Sequence, residues 1–187
     1  MIRYTMSIPC GHPVVMIRAI TMSTKLGSGA SAQLVARHRQ HCDFAAVYIQ
    51  EAHAVDEWPI SEAPRTFRQH RELADRVAAA RAFVADYPQP EGLVWFVDDM
   101  ANSFNRTYAS WPFRFWVLCP PPPPLPGEGG GGGGGTAAGA GGIAPAPAAA
   151  PGAPDGWWVG FKPMPRDATY DLGELDSFLL SVSNGGV

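Results

Sequence analysis

An α/β domain is the fold class this sequence predicts, and three observations predict it. Short apolar runs at residues 44–49, 93–97 and 113–118 are rich in Val, Ile, Phe and Trp and have the length of buried strands. Helical patterns alternate with them, the strongest over residues 69–86, where Leu73, Val77, Ala80, Phe83 and Val84 share one face. The first two runs end abruptly in acidic and polar residues, as strands do where an open α/β sheet carries a site beyond their carboxyl ends.

In chain order, residues 12–17 fit a strand and residues 21–31 a polar loop. Residues 32–41 form a basic helix whose His38 and His41 read as a solvated face. The strand at 44–49 follows, then a loop bounded by Pro59 and Pro64, then the 69–86 helix, on which Arg71, Glu72, Asp75, Arg76 and Arg81 lie away from the apolar face. That helix stops before Pro88 and Pro90. The strand at 93–97 leads into a helical turn or two at 102–108 and a third strand at 113–118. A strand at 155–161 pairs with it as a hairpin. The last helix, from Asp171, has a capping box with Glu174 and an apolar face of Leu172, Leu175, Phe178 and Leu179. A parallel βαβ unit, a β-hairpin and a closing helix make the plan of a thioredoxin-like fold, here lacking part of its first β-α unit. The domain organisation predicted is an unassigned segment over 1–31, a thioredoxin-like first part over 32–119, an insertion over 120–154, and the closing strand and helix over 155–181. The insertion holds five consecutive prolines and seven consecutive glycines, and no sizeable side chain that could offset ordering the backbone, which predicts disorder.

Composition removes several function classes. At 187 residues with a net charge of −3, the chain has no basic field for nucleic acid or an anionic membrane. No apolar run reaches the ~18 residues of a membrane span, and the start does not read as a signal peptide, so a cytoplasmic location is expected. Cys10, Cys42 and Cys119 form neither a disulfide framework nor a zinc pattern, and no metal is expected. A glycine pair at 27–29 without a GxxxxGK[ST] motif is no phosphate loop.

The chemistry concentrates in residues 43–58, DFAAVYIQEAHAVDEW. This stretch resembles the iodothyronine deiodinase signature, roughly DF-x-x-VYI-x-EAH-x-x-DGW, with Glu57 in place of the usual glycine. The resemblance continues through QHRELADR at 69–76, DDMAN at 98–102 with Tyr108, WPFRFWVL at 111–118, GWWVGF at 156–161 and YDLGELDSFL at 170–179. It implies a thioredoxin-like fold and an oxidoreductase of a selenoprotein family active in thyroid hormone metabolism. A selenocysteine or cysteine, in a loop after the first strand with a G-S-x-T-U/C-P-P-F motif, takes iodine from a thyroxine-like aromatic substrate. A thiol reductant is the co-substrate and no cofactor is bound. A homodimer is expected with it.

Residues 27–31 begin like the nucleophile motif, but no cysteine and no Pro-Pro-Phe follow, so the nucleophile is unknown. Either it is lost, or translation or splicing passes over a selenocysteine codon normally read as stop. The abrupt end of the resemblance before Leu34 favours the second. As written, the chain is expected to be inactive. The resemblance makes His53 the catalytic candidate for substrate binding and proton handling, since imidazole donates and accepts near neutral pH. Glu51 is the second, either orienting His53 or binding substrate. Asp56, Trp58 and Asp98 are the substrate-binding candidates, with Asp56 and Asp98 also suited to fixing loops and Trp58 to packing or stacking. The alternatives are a catalytically silent thioredoxin-like binding module and a general thiol oxidoreductase.

Overall fold

The computed structural model describes residues 2–3, 14–19, 29–59, 67–87, 89–108, 115–121, 157–161 and 172–183. They build one six-stranded sheet and four helices: β1 (Ile2–Arg3), β2 (Val14–Ala19), α1 (Gly29–His38), β3 (Asp43–Tyr48), α2 (Leu73–Asp86), β4 (Leu93–Val97), α3 (Ser103–Tyr108), β5 (Phe115–Cys119), β6 (Trp158–Phe161) and α4 (Leu172–Ser183). The strand order is β1-β4-β3-β2-β5-β6. Strands β2, β3 and β4 are parallel, β1 adds to β4 in parallel, and β5 and β6 are antiparallel. This is a thioredoxin-like arrangement with β4 and the two-residue β1 added on one side.

The first β-α unit is present. Val14 to Ala19 pair residue by residue with Asp43 to Tyr48, and α1 joins the two strands. The boundary expected at residue 32 therefore cuts through α1, and the segment expected to be unassigned supplies two strands. The loop expected over 21–31 gives way to helix from Gly29. Most of the 120–154 insertion, and Asp171, lie outside the described residues.

The alternation of side chains along β3 explains the two cores. Phe44, Ala46 and Tyr48 face one side, where Leu34 and Val35 of α1, Val77, Ala80 and Phe83 of α2, and Leu175 and Leu179 of α4 cover them. Ala45, Val47 and Ile49 face the other, against Tyr108, Trp116, Leu118 and Trp157. From β2 the chain steps to β3 and β4 in one direction, and right-handed crossovers put α1 and α2 on the same face. It then returns past β2 to β5, with Tyr108 of α3 packed on the opposite face. The order reverses beside β2, and ligands bind at such a switch point, outside the carboxyl ends of the strands.

Helices α1 and α4 are pinned by charge as well as packing. Asp176 of α4 pairs with Arg37 and accepts a 2.7 Å hydrogen bond with His38 Nε2. His38 is buried, which corrects its reading as part of a solvated face: α4 covers it and supplies its partner. Among the described residues no helix is long and apolar enough to cross a membrane.

Candidate active site

The carboxyl ends of β3 and β4 lie side by side, Tyr48 opposite Val97, and the Asp98 N–H donates to the Tyr48 carbonyl at 2.8 Å. Tyr48 is also paired with Ala19, the last residue of β2. The chain therefore leaves three parallel strands at one edge of the sheet.

A buried polar row runs inward from that edge. The Tyr48 hydroxyl donates to Glu51 Oε1. The same carboxylate oxygen stands 4.0 Å from His70 Nε2. His70 Nδ1 accepts from Arg76 Nε at 3.4 Å. Arg76 also donates to the carbonyls of Asp98 at 3.2 Å and Asp99 at 2.5 Å. Tyr48, Glu51 and Arg76 are each no more than 2% exposed. Because Nδ1 accepts, the neutral ring carries its proton on Nε2, facing Glu51.

Burial and the neighbouring Arg76 guanidinium push the His70 pKa down to about 4. The folded value lies below the unfolded one of about 6.5. The unfolded chain thus binds the extra proton first, and stability held above pH ~6.5 is lost as pH falls towards 4. Replacing His70 by glutamine, which keeps a donor near Nε2, is expected to flatten that part of the stability–pH curve measured by urea unfolding. An unchanged slope would mean His70 is not buried and neutral.

The expected site residues divide between two places. Glu51 belongs to the buried row, turned inward onto Tyr48 and His70. His53 lies at the outer side, its Nδ1 3.3 Å from the Trp58 carbonyl and its ring 5.1 Å from the Trp58 indole. Trp58 is 62% exposed, so it does not pack the loop shut. Asp56 accepts the Gln69 N–H at 2.8 Å, and that bond, first among its causes, lowers its pKa. Asp98 is spent on structure: its carboxylate accepts the N–H groups of Asp99, Phe104 and Asn105 at 3.0, 2.9 and 3.1 Å and starts α3, while burial raises its pKa.

Gln69, His70 and Arg76 were not expected here. The helix begins at Leu73, four residues later than the pattern predicts. The Asp75 carboxylate accepts the N–H groups of Arg71 and Glu72, and the segment before it extends into the site. Arg76, placed by the pattern among the outward charges, is buried because two strand-end carbonyls and an imidazole meet its planar fork. The signal available was QHRELADR itself, a polar block conspicuous in the resemblance but absorbed into a helix.

Cys42 and Cys119 do not belong to the site. Both are buried, at the other end of the sheet, and burial raises both thiols to about 11. A thiol with such a pKa holds little thiolate at neutral pH. Cys10 lies outside the described residues. Among the described residues no group of three or more potential ligands could hold a metal ion.

Comparison with known proteins identifies the family. Residues 23–120, just over half the chain, match the model of the family described as iodothyronine deiodinase. The match starts upstream of Leu34, where the resemblance read from the sequence ends, and stops just after β5, before the closing strand β6 and helix α4. A human thyroxine 5-deiodinase is 37% identical over 89 residues, 48% of this chain and 28% of the relative. A Sparus aurata thyroxine 5-deiodinase is 37% identical over 109 residues, 58% of this chain and 36% of the relative. A Xenopus laevis type I iodothyronine deiodinase is 34% identical over 90 residues, 48% and 34%. The chain spans about a third of the length of these relatives.

Proposed function

The chain belongs to the iodothyronine deiodinase family, and from that premise we propose that its strand-end site is the proton-supplying and aromatic-binding part of a deiodinase-like oxidoreductase. The substrate class is an iodinated, thyroxine-like aromatic compound. In the reaction, a selenolate or thiolate bonds to iodine while the aryl carbon keeps the electron pair of the broken C–I bond and takes up a proton. Two molecules of thiol then reduce the chalcogen–iodine bond, becoming a disulfide and releasing iodide and two protons. A homodimer belongs to the same proposal.

The observation that carries the reading is the row Tyr48, Glu51, His70. The first step consumes one proton at a carbon beside the nucleophile. The row ends at Tyr48, next to Ala19, where the chain leaves β2 for residues 20–28. In this reading the Glu51 carboxyl group, in its protonated form, gives up the proton and the Tyr48 hydroxyl relays it, while the neutral His70 keeps its Nε2 proton and hydrogen-bonds the carboxylate left behind when the 4.0 Å gap closes by about 1 Å. His53 and the exposed Trp58 supply a ring and a polar tip against which an aromatic substrate stacks.

One observation favours a second reading, a silent binding module. Residues 20–28 contain no cysteine, and the two described thiols are buried at the far end. The same fact weighs against a general thiol oxidoreductase.

Thyroxine binding tests the proposal, since it does not need a nucleophile. The protein should bind thyroxine in calorimetry, and His53→Ala should weaken it by about tenfold, the equivalent of a charge-assisted or well-formed hydrogen bond. Equal binding by the variant removes His53 from the site. Thiol-dependent iodide release by the chain as it stands should be negligible, and robust turnover abolished by Cys42→Ala would refute the assignment of that thiol to the core.

A further inference from the structure

The loop over residues 51–58 carries both halves of the site, and one side chain holds its two ends. Gln69 Oε1 accepts the Glu51 N–H at 3.2 Å. Gln69 Nε2 donates to the Glu51 carbonyl at 2.9 Å and to Glu57 Oε2 at 2.9 Å. The Gln69 backbone N–H goes to Asp56, and its Oε1 also receives the His70 N–H at 3.3 Å. Both N–H donors and the carbonyl of the amide are thus engaged, all within residues 51–57 and His70.

Glu57 adds a contact to this closure that the usual glycine could not make. It stands where the deiodinase signature has glycine, and glycine has no side chain to receive the second N–H of Gln69. With Glu57 present, the amide bridges Glu51 at one end of the loop to Glu57 at the other. His53 lies between the bridged ends, and Trp58, next to Glu57, takes its position from the same closure.

We propose that Gln69 is a positioning residue, and that with Glu57 it forms a latch that holds His53 and Trp58 in register with the Glu51–His70 row. The assignment rests on the functional reading above, because it gives the held residues their roles. The latch couples the two halves of the site: a shift of the outer, aromatic side is transmitted to the backbone of Glu51.

Amide hydrogen exchange resolved by residue, with thyroxine affinity measured on the same proteins, tests it. Gln69→Leu should speed exchange at Glu51 and at residues 55–58 by roughly tenfold or more, the scale of one to two lost hydrogen bonds. Glu57→Ala should loosen only the 55–58 end and lower thyroxine affinity by several-fold without moving the urea midpoint. Glu57→Gln, whose carbonyl still accepts from Gln69, should behave as the parent protein. Unchanged exchange at Glu51 in Gln69→Leu, or identical behaviour of Glu57→Ala and Glu57→Gln, overturns the latch. Should Gln69→Leu not fold, the two Glu57 variants decide alone. Absence of thyroxine binding by the parent protein counts against the functional reading, and the exchange rates still decide for or against the latch.

Discussion

Replacing Arg76 by leucine is expected to lower stability by about 3 kcal/mol, measured by urea unfolding at pH 7. The change removes a charge whose burial is itself costly, as its lowered pKa shows. That gain is smaller than the loss. Two buried acceptors, His70 Nδ1 and the Asp98 carbonyl, lose their donor, and the Asp99 carbonyl is left with the Asn102 N–H alone. Each orphaned acceptor costs about 1–3 kcal/mol. Arg76 also ties α2 to the loop after β4. Lysine at this position keeps the charge but not the fork, so Arg76→Lys should recover only part of the loss. A change under about 0.5 kcal/mol for the leucine variant, the size typical of a surface substitution, would place Arg76 in solvent.

The second large effect is a gain. A thiol placed by single substitution at Thr21, Ser23 or Thr24 should give, at one of these positions, iodide release from thyroxine that depends on added dithiol. The parallel pairing of β2 with β3 puts the exit of β2 beside Tyr48, and the family match begins at Ser23. A hydroxyl-to-thiol exchange changes little volume and supplies the nucleophile that residues 20–28 lack. Cys42 and Cys119 cannot substitute for it, because they sit at the amino-terminal edge of the parallel strands with raised pKa values.

Much of the fold was legible because hydrophobic period and strand length are local signals. The strand at 93–97 coincides with β4, and β3, β5 and α4 fall within a few residues of their expected bounds. The first β-α unit was harder to read, since β2 includes Arg18 and α1 starts among glycines and serines, which are poor helix formers. Of the site, the loop 51–58 was legible from its sudden change of character. Its division into an inner and an outer half was not. Glu51 and His53 are two residues apart, which suggests partnership, yet Glu51 turns in to Tyr48 and His53 turns out to Trp58. Gln69, His70 and Arg76 were hidden because a helical pattern treats polar residues as outward-facing, whereas these satisfy buried groups of two strand-end loops. Asn102 belongs to the second strand-end loop, which the polar switch after residues 93–97 marks in the sequence. It adopts a left-handed φ of 54°, and its side chain donates to Gln50 at 2.9 Å, joining the two loops.

The central claim, that Tyr48, Glu51 and His70 deliver the proton consumed at the aryl carbon, is tested most directly in the thiol-bearing variant that releases iodide. Adding Glu51→Gln to that variant leaves a side chain of the same size that can no longer give up or take a proton. Iodide release should fall by about 10²-fold or more, the range for loss of a positioned acid–base group, while thyroxine affinity stays within a few-fold. Turnover that survives the Glu51→Gln change undiminished would contradict the relay.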